Sequence, residues 1–461
     1  MGVPGAIRPT AMTIHSQWLA VFKKLSPESF SKVNQFQPKS CFVDGMPSLM
    51  VSSHVSEWKD IVHRNFGFAV NKYFKMGCQN VVIGFDHYDY VSSGKSITQH
   101  NRAKKVAPFE FGAGESLPTF VPRDYNEKIR NRAFKRAVID YIATHLPRVV
   151  HLEKGKSLII DYVHAPVRYF LDPDTGVLQH ECMGLPPMGE CDLKAVRFAE
   201  LFGDMIIHSV DGDFLPISMI FHEKLVAQKK PLNLAVYRLE YKADAVKCTG
   251  KRSSHGETKK AARTWEFVNV PSLYNALERA MRGWAKGEPC MPVSVAIATM
   301  IALTGTDFTR ALPHVPPERL WECLSHKRVW QGLSQSYDVE SDALDVDAAC
   351  DLFVAELYKL KFSKHTSGPN LQRVMQNLQG SKLAPSTRAQ LPSLERVRCT
   401  IKNVNFLLIY WKCISPRALP FVEGGEMYDY SVCFPEAVSE EYGFKRKRSG
   451  KGAVTWLDDE D

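Results

Sequence analysis

The sequence predicts an α/β fold: a central, mostly parallel β-sheet flanked by helices, followed by a C-terminal extension. Three short apolar runs that end close to an aspartate favour this class, within residues 40–50, 80–86 and 205–213. Runs of this kind are typical of strands buried on both faces of a parallel sheet. Helical patterns lie between them, at 124–146 and 192–203. Strands that alternate with helices predict helices on both faces of one sheet.

The predicted strands leave aspartates at one edge of the sheet. Asp44, Asp86 and Asp211 each lie at or close behind the end of an apolar run. In open α/β sheets, ligands bind beyond the carboxyl ends of the strands. We therefore expect these three side chains to emerge at the functional edge.

Later elements are less regular. Within 232–270, NLAVYRLEYK and TWEFVNV predict two strands around a basic loop, which fits either a solvated hairpin or a nucleic-acid contact. Residues 347–362 predict an amphipathic helix, 363–395 a mobile linker or loop, and 400–414 a buried strand or helix. The KRKR run at 445–448 is typical of a solvated, disordered tail or of a nuclear localisation signal.

Composition narrows the class of protein. The chain has 461 residues, of which 44% are hydrophobic, enough for a sizeable core. Lys and Arg outnumber Asp and Glu by 59 to 50, which fits a polyanionic partner or simply a basic surface. The 11 cysteines form no CxxC pair, and neither a secretory signal nor a long apolar run is visible. We therefore expect reduced thiols and an intracellular protein of the nucleus or cytoplasm, neither secreted nor membrane-bound.

Two pairs of acids give the strongest signal for chemistry. Glu190 and Asp192 lie two residues apart, as do Asp211 and Asp213, and each acid of the first pair lies 21 residues before its counterpart. A helix between the pairs returns the chain to the same edge of the sheet. Like charges repel when they are close and partly buried, so four converging carboxylates need cations. Such oxygen ligands suit two Mg²⁺ ions, for which Mn²⁺ can substitute, and such ions activate water at a phosphodiester.

Each pair also has a structural alternative. Asp-x-Asp is common in loops and helix caps, where the side chains accept hydrogen bonds from backbone N–H groups. Asp44 and Asp86 at strand ends, together with Asp307 in TGTDF, shift the balance toward a metal site.

The order of these segments resembles the flap endonuclease (XPG-like) 5′-nuclease superfamily, whose fold is PIN-like. The start MGVPGA resembles the family's MGI-x-G opening, which implies that Gly2 lies near the active site and the nucleic acid. CFVDG and VVIGFD resemble two segments that carry catalytic aspartates, here Asp44 and Asp86. His87 stands where the family usually has glycine.

Three further motifs extend the resemblance over roughly residues 1–325. MGECDLKA is similar to the family's E-A-E-A-Q motif, with Asp192 in place of the second Glu, and IIHSVDGDFLPI and LTGTDFTRALPHV resemble its two later acidic segments. The resemblance implies a two-metal phosphodiesterase. The implied metal ligands are Asp44, Asp86, Glu190, Asp192, Asp211, Asp213 and Asp307.

Basic residues after Asp86 match substrate-contacting positions of the family. Lys95 and Arg102 lie seven residues apart, about two helical turns, so they share a face of a predicted helix. The resemblance assigns both as catalytic cations that clamp the scissile phosphate, with a solvated helix face as the alternative. Gln99 between them also gives a pattern similar to the 5′-monophosphate pocket of Xrn-type exoribonucleases.

Residues 104–147 occupy the place of the family's helical arch, through which a single strand threads. Basic side chains there would follow a phosphate backbone, although a plain exposed face fits almost as well. A tyrosine before the arch would stack on a base or fill the core. The predicted nucleic-acid-binding residues of this part of the chain are Tyr88, Arg130, Arg132, Lys135 and Arg136.

The sequence departs from the family after Asp307. The stretch ALPHVPPERLWECL (311–324) lacks the glycines of the helix–hairpin–helix that grips duplex DNA, and Pro316 and Pro317 have no N–H to donate to a phosphate. GTDFTRALPHV is also similar to a segment of Xrn-type enzymes, and RNA-cleaving relatives occur among herpesvirus host-shutoff proteins. DNA and RNA therefore both remain candidate substrates.

The resemblance divides the chain into a nuclease core at 1–330, with an arch-like basic region (104–147) and a basic hairpin insertion (222–270). A C-terminal helical or mixed region (331–443) and a charged tail (444–461) follow. We expect a monomer that cuts DNA with a 5′ flap or junction, with an Xrn-like or host-shutoff-like ribonuclease as the first alternative. A catalytically inactive nucleic-acid-binding scaffold is the second. No sliding-clamp motif is visible near the C-terminus.

Overall fold

A computed structural model describes most of the chain, and its central feature is a nine-stranded sheet. The described residues are 11–50, 55–86, 111–112, 114–162, 165–185, 188, 191–240, 264–286, 291–305, 311–412, 444–446 and 454–456. The strands of the sheet are β1 Phe30–Ser31, β2 Ser40–Asp44, β3 Asn80–Gly84, β4 Ser157–Asp161, β5 Val167–Leu171, β6 Leu178–Cys182, β7 Met205–His208, β8 Leu234–Glu240 and β9 Thr264–Asn269.

The sheet has the order β1-β9-β8-β7-β2-β3-β4-β5-β6, and its middle is parallel. Strands β8, β7, β2, β3 and β4 pair in parallel, whereas β5 and β6 at one side and β9 and β1 at the other pair antiparallel. The prediction of an α/β fold with a mostly parallel central sheet flanked by helices is confirmed. The apolar runs that predicted β2, β3 and β7 indeed form three adjacent parallel strands.

Helices cover both faces of the sheet. In chain order they are α1 Ala11–Leu25, α2 Gly45–Ser48, α3 58–75, α4 Tyr125–Lys128, α5 Arg132–Val149, α6 Cys191–Phe202, α7 Phe214–Ala227, α8 Val270–Ala285, α9 Val293–Thr304, α10 Pro317–Leu324, α11 Lys327–Gln335, α12 346–361, α13 Leu371–Gly380, α14 Pro385–Arg388 and α15 Leu394–Lys412. Helices α3 and α12 each contain a π-helical turn, at Val62–Gly67 and Ala349–Val354. Of the helices described, none has the length and hydropathy to span a bilayer.

Two apolar layers enclose the sheet. Helices α3, α4 and α5 pack on one face, around Trp58, Phe66 and Phe134. The larger layer on the other face extends from Trp18 in α1 to Trp411 in α15. Residues 331–412 therefore pack on the same core as the preceding part of the chain.

Two predicted segments differ from the structure in their continuity. Residues 124–146, predicted as one helix, form α4 and α5, because the side chain of Asn131 accepts a hydrogen bond from the backbone N of Phe134 (3.0 Å) and starts a new helix. The prediction of a linker or loop over 363–395 was wrong for α13, whose Leu371, Val374 and Leu378 are buried against the larger layer.

Where the structure describes the remaining late segments, they form regular secondary structure. Of the segment predicted as a strand or helix at 400–414, residues 400–412 lie in α15, and the helix predicted at 347–362 corresponds to α12. In the tail, Phe444–Arg446 pairs antiparallel with Val454–Trp456, so the prediction of a disordered tail was wrong for these six residues.

Candidate active site

The carboxyl ends of the adjacent strands β2, β3 and β7 lie at the point in the sheet where the order of successive strands changes direction. From β2 the strand order continues through β3 to β4 on one side, and through β7 to β8 on the other. The register places Asp44 of β2 beside Gly84 of β3, and Val43 beside His208 of β7. Asp86 and Asp211 follow those strand ends closely. Open α/β sheets bind ligands at such a switch point, and this one carries three of the predicted acids.

Asp44 is buried, with 5% of its surface exposed. Its Oδ1 accepts a hydrogen bond from the backbone N of Met46 (3.0 Å), and its Oδ2 accepts one from Ser209 Oγ (2.7 Å). The pKa of Asp44 is raised from 3.8 to about 7, first by burial and then by the charges of Asp86 and Asp211, while the hydrogen bonds from Ser209 and Met46 oppose the rise. Asp86 and Asp211 therefore lie close enough to Asp44 for their charges to act on it.

The first turn of α6 closes over these carboxylates. The backbone N of Cys191 donates to Asp86 Oδ1 (2.9 Å), and its thiol lies 3.5 Å from Asp44 Oδ1 as a donor. Burial first, and then the charges of Asp44, Asp86 and Asp192, raise the pKa of this thiol well above its usual value, so it stays protonated. The approach of α6 requires glycine at position 84, where an added Cβ would lie 3.1 Å from the Cys191 sulfur and 2.3 Å from the ring of Phe42.

Backbone hydrogen bonds help to position Asp192, Asp211 and Asp213. Asp192 is buried, and its Oδ1 accepts from the backbone N of Leu193 (2.9 Å). Asp211 is exposed, its backbone N donates to Ser209 Oγ (3.0 Å), and its Oδ1 accepts from the backbone N of Asp213 (3.4 Å). Asp213 is buried at the start of α7. The Ser209 hydroxyl thus links Asp44 to the loop that carries the second pair.

The carboxylate oxygens of these acids suit a divalent cation, but the described residues alone do not form a complete metal site. Carboxylate oxygens suit Mg²⁺ or Mn²⁺ better than zinc, and a cation would offset the burial of Asp44 and its repulsion by Asp86 and Asp211, which together raise its pKa. Within the described ranges, no three His, Cys, Asp or Glu side chains are arranged so that they could hold a metal ion. Glu190 and Asp307, two of the seven predicted ligands, lie outside those ranges.

A buried ion cluster lies next to the acidic residues, and the sequence did not predict it. Asp161, at the end of β4, pairs with Lys194 (2.9 Å) and Arg197 (2.6 Å) of α6, and all three side chains are essentially unexposed. Lys194 Nζ also donates to the backbone oxygen of Phe85 (2.7 Å), next to Asp86. These contacts fix α6 against the ends of β3 and β4. Two cations three residues apart within the apolar helix pattern LKAVRFA are the signal that could have revealed the cluster.

Helix α5 brings one predicted basic residue to the acids. Lys135 is half-buried; burial lowers its pKa, the charge of Asp86 opposes that shift, and Arg132 adds to it. Arg132 and Arg136 are exposed and share its helix face, and Arg130 is exposed just before the helix. Lys135 therefore places a cation near Asp86, from the apolar layer on the other face of the sheet from α6. The exposed Arg132 and Arg136 are its neighbours on the helix.

Several predicted residues lie outside the described residues. They are Gly2, Tyr88, Lys95, Gln99, Arg102, Glu190 and Asp307.

No protein-family model matches the chain, and no curated protein matches it.

Proposed function

We propose that the protein is a divalent-metal-dependent nuclease of the flap endonuclease (XPG-like) superfamily, with a PIN-like core. The observation that carries this proposal is the burial of Asp44 beside Asp86 and Asp211 at the switch point of a parallel sheet. Carboxylates crowded in this way favour bound cations. Divalent ions bound there would supply an activated water and would stabilise the leaving oxygen of a phosphodiester.

The chain's own residues would hold the ions and the substrate. Asp44, Asp86 and Asp211 would contribute ligands at the ends of three adjacent strands. Because the described acids alone form no metal-holding group, the proposed set also includes Asp192, Asp213, Glu190 and Asp307, the last two of which lie outside the described residues. The hydrogen bonds from Ser209 and Met46 to Asp44, and from Cys191 to Asp86, would keep the carboxylate oxygens oriented.

Cations on α5 would contact the substrate. The charge of Asp86 acts on the pKa of Lys135, so the two side chains lie close together. A phosphate bound beside the acids would therefore lie within reach of Lys135. Arg132 and Arg136 are exposed on the same helix face and would follow the phosphate backbone away from the site. This arrangement supports a polyanionic substrate rather than a small neutral one.

DNA with a 5′ flap or junction is the first substrate we propose, and RNA is the second. One observation favours RNA: Leu312 and Val315 are buried in the larger apolar layer, directly before Pro316 and Pro317. This segment therefore packs inward where flap endonucleases have a glycine-containing duplex clamp. A ribonuclease that does not need that clamp fits this feature.

A panel of three substrates tests the proposal. A 5′-flap DNA, a 5′-monophosphate RNA and a hairpin RNA are each offered with Mg²⁺ or with EDTA. We expect metal-dependent cleavage of at least one, with the flap DNA cut fastest. We also expect Asp211→Asn to abolish cleavage and to spare binding, because the neutral side chain keeps the shape and loses the charge. Asp174→Asn, on the exposed β5–β6 turn, is the matched control and should cut normally.

Two outcomes would contradict the proposal. Cleavage of no substrate would favour a nucleic-acid-binding scaffold. Equal turnover by wild type and Asp211→Asn at saturating Mg²⁺ would remove the acids from the reaction.

A further inference from the structure

A cavity of about 530 Å³ lies between the ends of three helices in the larger apolar layer. The second half of α7 forms one side of its wall. The rest is formed by Pro292 and Ser294 at the start of α9, by Asp342 between α11 and α12, and by Trp411 and Lys412 at the end of α15. We name this space the helix-end cavity.

The cavity has the size and the lining of a site for a small organic molecule. Such sites commonly have volumes of about 300–1,000 Å³ and apolar walls that carry a few polar groups. Ile220, Phe221 and Pro292 contribute apolar surface to this wall. Four ionisable side chains lie among them, and they are Glu223, Lys224, Asp342 and Lys412. The charges that remain uncompensated among these four decide which ligand the cavity favours.

Three of the four ionisable side chains are compensated by their neighbours. The carboxylate of Glu223 accepts hydrogen bonds from the backbone N of Val293 (2.8 Å) and of Ser294 (3.1 Å). It therefore lies at the N-terminus of α9, whose partial positive charge offsets its own. Lys412 Nζ donates to Asp342 Oδ2 (2.6 Å), so these two charges form an ion pair.

Lys224 and Trp411 each bury a hydrogen-bond donor for which the described part of the chain supplies no acceptor. These donors are Lys224 Nζ and the indole Nε1 of Trp411, a residue that is 0% exposed. Buried donors in folded proteins nearly always have an acceptor, and leaving one without costs free energy, most of all when it is charged. The flexible stem of a lysine lets its amine turn toward a ligand that enters the cavity. Two such donors on residues of one wall therefore indicate that an acceptor, and preferably an anion, binds there.

We propose that the helix-end cavity binds a small monocarboxylate with an apolar body, whose carboxylate accepts hydrogen bonds from Lys224 and Trp411. The apolar body packs against the apolar part of the wall and is removed from water there. A single negative charge matches the one uncompensated cation of the cavity. A polyanion would also meet the carboxylates of Glu223 and Asp342, so the cavity selects against nucleic acid.

Calorimetric titration of the full chain in EDTA tests this inference. The probes are octanoate, 1-octanol and octylammonium, which share one alkyl chain and differ in charge, each kept below the concentration at which it forms micelles. We expect saturable binding of octanoate at one site per chain, weaker binding of octanol and no binding of octylammonium. Lys224→Met should weaken octanoate binding by about tenfold to hundredfold, because it removes a charged hydrogen bond and keeps the apolar stem. It should leave octanol binding nearly unchanged, and Lys224→Arg should retain most of the affinity for octanoate.

Lys230→Met provides the matched control. Lys230 is an exposed cation just after the end of α7, and it does not belong to the wall of the cavity. We expect this variant to bind octanoate like the wild type. A second variant, Trp411→Phe, removes the indole N–H and keeps an aromatic ring, so it should weaken octanoate binding more than octanol binding. Thermal unfolding of each variant checks that it is folded.

The outcomes separate this inference from the proposed nuclease. Asp213 precedes the start of α7, a helix of 14 residues and therefore about 20 Å long, and the cavity lies at the other end of that helix. Asp211→Asn should therefore bind octanoate normally. No saturable binding of octanoate by the wild type, or equal losses in Lys224→Met and Lys230→Met, overturns the assignment of the cavity even if the protein cleaves DNA. A loss confined to octanoate in Lys224→Met supports the assignment even if no nucleic acid is cleaved.

Discussion

Asp44 is the residue at which burial and charge conflict most directly. Its pKa of about 7 in the folded protein, against 3.8 for an ordinary aspartate, means that folding favours the protonated acid. The stability that this acid contributes is therefore present in full below about pH 3.8 and is lost as the pH rises through 7. In metal-free protein at pH 8, Asp44 is a buried charge next to two others.

The substitution Asp44→Asn removes this titration. We expect the variant, in EDTA at pH 8, to gain as much as roughly 4 kcal/mol in free energy of unfolding over the wild type, and to show little difference at pH 4. Urea unfolding at both pH values measures the effect. A variant that is less stable than wild type at pH 8 would show that the carboxylate is compensated in the folded protein.

Lys135 lies on the other side of the acids and is expected to act on the substrate. Replacing it with Met removes the cation that faces Asp86, so we expect cleavage to slow about tenfold or more, measured as kcat/KM. Arg148→Met, at the exposed far end of α5, is the matched control and should cut like the wild type. Equal losses in the two variants would mean that α5 contributes general charge rather than a specific contact.

The sequence could predict some of these residues and not others. Asp44, Asp86 and Asp211 follow recognisable apolar runs, so their shared edge of the sheet follows from the strand pattern. The partners Ser209 and Cys191 lie 165 and 147 residues from Asp44, and no local pattern indicates hydrogen bonds over such distances. The role of Lys135 beside Asp86 likewise depends on how α5 crosses the sheet.

Helix α6 is the element on which the geometry of the acids depends most. The buried cluster of Asp161, Lys194 and Arg197 ties this helix to the end of β4, in addition to apolar contacts with the sheet such as Phe198 against Phe42 (ring centroids 6.3 Å apart). The substitution Asp161→Asn would leave two buried cations without their carboxylate, and we expect it to lower the free energy of unfolding by about 3–5 kcal/mol.

A surface pair provides the control for that experiment. Glu181→Gln removes the ion pair between Arg168 and Glu181 (3.2 Å), whose side chains are 40% and 50% exposed. We expect a change below about 1 kcal/mol for this variant. If Asp161→Asn proved no more destabilising than Glu181→Gln, the cluster would not be what holds α6 in place.

Elements with a clear apolar periodicity were predicted well, whereas an element whose start depends on a single side chain was not. Strands β2, β3 and β7 and helices α6 and α12 followed from their apolar patterns. The break between α4 and α5 depends on the one hydrogen bond that caps α5 at Asn131, which a continuous helical pattern conceals. Strand β6 is exposed along its whole length, so it lacks the apolar run that identified the buried strands.

For the whole molecule, the C-terminal helices complete the core. Every residue of α9 is buried, and this helix packs between α7 and α15. A chain that ends at residue 330 would expose the apolar surface that α12, α13 and α15 cover. We expect such a truncation to aggregate or to unfold at a much lower temperature than the full chain, measured by solubility and thermal unfolding. A soluble, cooperatively folding 1–330 fragment would show that these residues form an independent domain.

The central claim is that acids from separate strands form one cation site, and direct metal binding tests it best. Calorimetric titration of the full chain with Mn²⁺ and with Mg²⁺ at pH 8 should show saturable binding. Asp211→Asn should weaken that binding by at least about tenfold, and Asp174→Asn should leave it unchanged. Saturable binding that Asp211→Asn does not weaken, or no binding at millimolar metal, would contradict a shared site.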